Sequence, residues 1–344
     1  MSVQTAIRER DPAALPSKRD EDWRWTDLRG LIRQVPDASA SVDPRDVGQG
    51  PFEHLVAASH VIANGREPAR IEVGGGAEAV MAVRFLSRGS GSHLARLTVE
   101  VAAGGKLTLL ESYEGDEGGY LAHAELAIRL GEGATLERIV LAADGGEGVS
   151  VSQAEVVLGP HAAYGQTILV AGARRQRIET RVTHPGGETK VRLDGVYLLD
   201  AKRHADITTV VTHEGTDGVT MQMTKGVVRD QARGVFQGRI VVAEGADRTD
   251  ARMEHHALIL SDRAEVDAKP ELEIYADDVA CSHGNTVGAL DEDALFYARQ
   301  RGIPEAEARS LLTEAFIGEV IDRIGHEGAR EIVRQWATDR LRAD

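Results

Sequence analysis

Gly133-Ala134-Thr135, the alternating run Val151-Ser-Gln-Ala-Glu-Val-Val-Leu158 and His161-Ala162-Ala163 decide the fold. A turn built on small residues opens a strand, and 28 residues later a similar turn opens the next. Related turns stand at Gly104-Gly105-Lys106, Gly187-Glu188-Thr189, Gly218-Val219 and Gly245-Ala246-Asp247. Taking positions 105, 134, 162, 188, 218 and 246, the spacings are 29, 28, 26, 30 and 28. Leu97–Val101, Ile240–Val242 and Glu271–Tyr275 are further short runs, and many of these runs alternate apolar with polar as half-buried strands do. No helical pattern interrupts them, which argues against βαβ units. A strand repeat near 28 residues predicts a β-solenoid, each coil burying its apolar face on its neighbours. A β-sandwich of regular hairpins fits the spacing as well.

The chain has 344 residues, a length compatible with two domains or one large β domain. With 40 Lys+Arg against 55 Asp+Glu it carries a formal charge of −15, the wrong sign for neutralising nucleic-acid phosphates. Aromatics are 4% of the residues, so Val, Leu, Ile and Ala must build the core. One cysteine precludes an intrachain disulfide framework and points to a reducing compartment. The first residues lack an apolar run of leader length, and no run approaches the ~18 residues of a membrane helix. The expectation is a cytoplasmic protein without membrane or nucleic-acid partners.

Helical patterns flank the strands. In the charged head, Leu28, Leu31 and Ile32 recur at helical spacing, and residues 36–52 read as a turn-rich linker. After Gly288, residues 291–301 open with acids and close with Arg, as a helix dipole prefers. Pro304 suits the first turn of a second helix ended by Gly325, with Ala308, Leu311, Leu312, Ala315, Phe316, Val320, Ile321 and Ile324 on one face. Glu327–Arg342 forms a third. The division predicted is 1–52, a helical segment and linker; 53–287, the strand-rich core; and 288–344, a helical domain.

Walker, HExxH and EF-hand patterns are absent, and GxSxG has no strand-to-helix setting. In Glu254-His255-His256 the two histidines face opposite sides of a strand, so only Glu254 and His256 could share a metal. Cys281 and His283 in Cys281-Ser282-His283-Gly284 point the same way, about 6–7 Å apart at Cα. That is too far for a ready proton transfer within the strand, but it suits two ligands of a soft metal or of an iron–sulfur centre completed by another chain. A buried, inert cysteine beside a turn is the plainer alternative.

Asp247-Arg-Thr-Asp-Ala-Arg252, the run from Leu258 to Val279, Cys281-Ser-His-Gly-Asn-Thr-Val-Gly288 and the following Leu-Asp-Glu-Asp-Ala-Leu-Phe-Tyr-Ala-Arg-Gln-Arg-Gly-Ile303 closely resemble the SufB/SufD family of SUF iron–sulfur cluster assembly scaffolds. Glu21-Asp-Trp-Arg-Trp-Thr-Asp-Leu28 resembles its N-terminal signature. Cys281-Ser282-His283, where SufB-like chains carry an acidic Glu-His-Glu-type segment, and the lack of further cysteines resemble the SufD branch. Ala280, Asn285 and Met253-Glu-His-His256 depart from the residues the family often carries there.

The resemblance implies a mainly β fold, a right-handed parallel β-helix with helical ends. It implies a non-catalytic scaffold that pairs edge to edge with a SufB-like chain and docks a SufC-type ABC ATPase on its C-terminal helices. By motif match, Cys281 and His283 are the candidate ligands of a nascent cluster shared with the SufB-like partner; no tightly bound cofactor is expected in the isolated chain. Asp293, Phe296, Tyr297, Arg301 and Glu314 are candidate ATPase contacts, and Leu311, Leu312, Phe316 and Val320 are expected to pack on the body. A homodimeric ATPase-binding adaptor without a cluster role is the alternative. A polysaccharide-acting β-helix enzyme is disfavoured by the scarcity of aromatic platforms. An unpaired β-helix edge predicts a homodimer when the partner is absent.

Overall fold

A computed structural model describes residues 2–66 and 68–342. Every strand pairing within its two sheets is parallel. One sheet has nine strands: β1 (Ser59–Ala63), β3 (Glu78–Ser87), β5 (Lys106–Gly115), β7 (Thr135–Ala143), β9 (Ala163–Val170), β11 (Lys190–Leu199), β13 (Val219–Val228), β15 (Thr249–Ile259) and β17 (Val279–Gly288). The other has eight: β2 (Ala69–Val73), β4 (Ser92–Val101), β6 (Leu121–Leu130), β8 (Val149–Leu158), β10 (Arg175–His184), β12 (His204–His213), β14 (Arg233–Val242) and β16 (Glu265–Ile274). The chain alternates between the sheets, so each coil supplies one strand to each. The fold is a parallel β-solenoid, and the sandwich of hairpins is ruled out.

Register partners in the nine-stranded sheet follow Glu78↔Lys106↔Thr135↔Ala163↔Lys190↔Val219, then Asp250↔Ala280. With Val219 paired to Asp250, the steps are 28, 29, 28, 27, 29, 31 and 30 residues, close to the spacing read from the turns. The cause is a repeated corner. Gly76, Gly104, Gly133, His161, Glu188, Asp217 and Arg248 all have positive φ, and each stands two residues before the first paired residue of its strand, or one in the case of Arg248. The first three corners use glycine, which enters this region without strain. The last four use side-chain-bearing residues, so the backbone conformation, and not the residue type, is what repeats.

The main core lies between the sheets. Leu107, Leu136, Tyr164 and Val191 line one of its rows in the nine-stranded sheet, and Leu97, Leu126 and Ala154 one in the other. Helices cover the outer faces. At the C-terminal end follow α3 (Glu292–Gln300), α4 (Glu305–Ile321) and α5 (Glu327–Arg342). Ile317, Val320, Ile321, Val333 and Ala337 of α4 and α5 close over Leu141, Leu169, Val196 and Val227 of the nine-stranded sheet. Pro304 stands as the N-cap of α4, and the helix ends at Ile321, four residues before Gly325. The face differs from the expected stripe too: Leu311 is 42% exposed, while Thr313 and Ile317 are buried. Apolar residues surround most of α4, so its pattern selects no face, and packing on the sheet chooses one.

At the other end, α1 (Val3–Glu9), α2 (Leu28–Leu31) and the segment between them pack through Val3, Ala6, Leu15 and Leu28 against Leu121 and Val151 of the eight-stranded sheet. The Trp-containing head segment is a latch. The Arg177 guanidinium lies 4.3 Å from the Trp23 ring centroid and donates to the Asp22 carbonyl at 2.7 Å. The same fully buried guanidinium is held by Glu179 at 2.8 Å and Asp206 at 2.7 Å. Thr26 donates to that Asp206, and Arg239 reaches Asp22 at 3.1 Å. Charge-assisted contacts of this kind hold the head in one register on the sheet.

Candidate functional site

The last coil leaves one end of the solenoid open. Strands β16 and β17 are terminal in their sheets, each paired on one side only. On β17, Cys281 stands beside Ala251 and His283 beside Met253, both buried members of the inward row of β15. Cys281 and His283 therefore share one row and face the end of the interior. Cys281 is half-buried against the cluster of Phe236, Ala251 and Met253, whereas His283 is exposed. Burial raises the Cys281 thiol above its ordinary value, so it is protonated near neutral pH and must lose that proton on binding a metal.

Beneath this row lies a hydrogen-bonded chain that sequence reasoning missed. Asn285, two residues after His283, meets Nδ1 of the fully buried His255 at 2.7 Å through its Oδ1. The other ring nitrogen, Nε2, meets the Tyr197 hydroxyl at 2.9 Å, and Phe236 stacks on the imidazole at 4.8 Å. The Tyr197 ring lies over Gly226, where an added Cβ would fall 1.8 Å from its Cζ. That glycine is thus required for close approach, and the ring it admits fixes His255 and Asn285. Burial pushes His255 down to about 4, keeping the ring neutral. One signal existed: alternation places His255 between Met253 and Ala257 on the buried face, and a buried imidazole needs partners.

Glu254 and His256 face the other way, onto the outer surface, with Glu254 Oε2 and His256 Nε2 3.8 Å apart. His256 Nδ1 lies 2.6 Å from the Thr286 hydroxyl. The sheet separates this pair from Cys281 and His283, so the four cannot surround one ion. Among the described residues, no three His, Cys, Asp or Glu side chains form a metal-holding group. The chain alone thus offers two soft donors on one row, and a cluster held there needs ligands from elsewhere.

The candidate contact residues divide. Asp293, Phe296, Tyr297 and Arg301 are exposed on α3 or at its end, with Arg301 donating to the Tyr297 hydroxyl at 2.7 Å. Glu314 is not an exposed group: it is half-buried on α4, 3.5 Å from Arg342 of α5. Among the described residues, the exposed large apolar side chains concentrate in two places. Ile274, Tyr275 and Val287 lie on the last coil, Ile274 and Tyr275 before β17 and Val287 near its end, and Phe296, Tyr297 and Leu311 on α3 and α4. No helix of the described residues is long and apolar enough to cross a membrane.

Comparison with known proteins adds to this geometry. Residues 85–316 match the family model described as SUF system FeS cluster assembly, SufBD core domain. The chain is 32% identical to the iron–sulfur cluster assembly protein SufD of Escherichia coli over 267 residues, 76% of this chain and 56% of that protein. It is 31% identical to an iron–sulfur cluster assembly SufBD family protein of Synechocystis over 238 residues, 67% of this chain and 52% of that protein. A Mycobacterium bovis SufBD family protein is 26% identical over 353 residues, 93% of this chain and 88% of its own length. The chain thus spans about half the length of the first two relatives and most of the third.

Proposed function

This chain belongs to the SufBD family of the SUF iron–sulfur cluster assembly system, in its SufD branch, and from that premise we propose that it is a scaffold subunit, not a catalyst. Its open end pairs with a SufB-like chain, and Cys281 and His283 serve as ligands of a nascent cluster completed by that partner. The observation that carries this reading is their position: one thiol and one imidazole share the inward row of a terminal strand paired on one side only, on a coil that also exposes Ile274, Tyr275 and Val287. An unpaired parallel strand is a template for another chain. When the SufB-like partner is absent, the same edge receives a second copy.

The helical domain serves as the dock for a SufC-type ABC ATPase, through the exposed Phe296 and Tyr297 with Asp293 and Arg301 at their flanks. Glu314 contributes through its ion pair to Arg342, which sets α4 against α5. Deleting the helices would uncover the apolar outer face of the nine-stranded sheet, so point substitutions are the sharper probe.

The test is anaerobic cluster assembly on the purified complex of this chain with its SufB-like and ATPase partners. Cys281→Ala and His283→Ala are each expected to lower cluster yield on the order of tenfold, read by absorbance and by iron and sulfide content, with the complex intact. Phe296→Glu with Tyr297→Glu is expected to release the ATPase and keep the SufB-like chain. Unchanged yield in both ligand variants would establish the adaptor reading instead.

A further inference from the structure

The hydrogen-bonded chain beneath the terminal row ends at the surface, on Asn285. That residue is exposed, two positions beyond His283 on the same row of β17 as Cys281 and His283. Its Oδ1 meets Nδ1 of His255 at 2.7 Å, and an amide oxygen only accepts, so Nδ1 carries the proton. The His255 ring is neutral, which leaves Nε2 to accept from the Tyr197 hydroxyl at 2.9 Å. The donors therefore point one way, from Tyr197 through His255 to Asn285. This fixes the amide, with Oδ1 turned to His255 and Nδ2 turned from it. Among the described residues, the Nδ2 group meets no acceptor.

The parts behind this amide are rigid. His255 and Tyr197 are fully buried, and Phe236 stacks on the imidazole with the ring planes 5° apart. Gly226 and Gly234 both make room for the Tyr197 ring, since a Cβ at either would strike it. Core packing alone does not require such a chain, because an apolar side chain at position 255 would need no partner. What these residues produce is one oriented N–H group at the open end, beside the candidate ligands. A polarised chain of hydrogen bonds also strengthens its last donor.

We propose that Asn285 donates through Nδ2 to a sulfur of the cluster carried at Cys281 and His283, with His255 and Tyr197 as the residues that position it. This inference rests on the ligand reading of Cys281 and His283. An N–H beside a cluster sulfur stabilises the more negative, reduced form, so it raises the reduction potential, and partners of this kind also help retain the metal.

The complex with the SufB-like and ATPase partners is loaded with cluster anaerobically, and cluster loss to a chelator and the reduction potential are followed. Asn285→Asp keeps an oxygen for His255 but replaces the donor with a negative charge. It is expected to lose cluster about tenfold faster than the parent and to lower the potential. Asn285→Ala is expected to move both in the same direction by less. Nitrogen NMR of the isolated chain, labelled at histidine, is expected to show His255 protonated at Nδ1. Tyr197→Phe, which keeps the ring and removes the hydroxyl, is expected to give a mixture of tautomers and faster cluster loss. Circular dichroism checks that each variant is folded. Parent-like loss rates and potentials in both Asn285 variants would overturn the proposal, as would a parent His255 protonated at Nε2. Full cluster yield in Cys281→Ala and His283→Ala would instead remove the ligand reading, and this inference with it.

Discussion

Lowering the pH from 7 to 4 is expected to unfold this protein, with most of the stability lost between about pH 6.5 and 4. Burial holds four histidines neutral in the native state: His93, His204 and His255 are pushed down to about 4, and His213 to about 3. For His204 the nearby Arg175 adds to burial, and for His213 the stacked His184 does, with ring centroids 4.3 Å apart. An unfolded chain binds a proton at each near the ordinary value of about 6.5. Below that pH the unfolded state holds protons that the native state refuses, so stability rises with pH across the window and is complete above it. Asp194 acts in the opposite sense. Burial lifts it to about 6 despite Arg192 and Arg323, so the native state keeps one proton that the unfolded chain releases.

Four protons less one leave three, a slope of about 4 kcal/mol per pH unit. Over two units that is about 8 kcal/mol, comparable with total stabilities of about 5–15 kcal/mol. Urea midpoints at pH 7, 6 and 5 read the slope directly, and His213→Gln is expected to flatten it. Equal midpoints at pH 7 and 5 would show that these imidazoles protonate in place.

The second large effect concerns a charge pair sealed inside the solenoid. Arg138 and Glu111 are both fully buried, and the guanidinium donates to the carboxylate twice, Nε at 2.6 Å and Nη2 at 2.8 Å. Around them, Arg138 Nη1 donates to Gln166 at 2.9 Å, Tyr164 donates to the same Gln166 oxygen at 2.8 Å, and Tyr113 donates to Glu111 at 3.2 Å. The attraction offsets the desolvation of both ions only while both are present. Glu111→Ala or Arg138→Met alone is expected to destabilise the fold by about 3–5 kcal/mol in urea titrations. The double variant Glu111→Leu with Arg138→Met is expected to be more stable than either single one, because it strands no charge. Single variants within about 0.5 kcal/mol of the parent would mean that water reaches the pair.

Several of these features were within reach of the sequence. The spacing of small-residue turns matched the register steps, because one left-handed corner per coil sets the repeat. The limits of α5 were read as Glu327 and Arg342, since Gly325 and the stripe Ile332, Val333 and Trp336 bracket it. Strand alternation was enough to put Cys281 with His283 and to separate His255 from His256. The face of α4 was not readable, because apolar residues ring that helix and only the sheet beneath distinguishes Leu311 from Ile317. Nor was the link from Asn285 through His255 to Tyr197, whose last step joins residues 58 apart in the chain.

The division follows from what each level encodes. Local order alone sets how far the chain runs before it turns and which side chains alternate, so the coil, its repeat and the shared row of Cys281 and His283 were determined by the sequence. Stacking brings together residues one coil apart or more, and their pairing depends on register and sheet spacing. The Glu111–Arg138 pair, the neutral buried histidines and the unpaired end at β17 exist only after the coils have stacked.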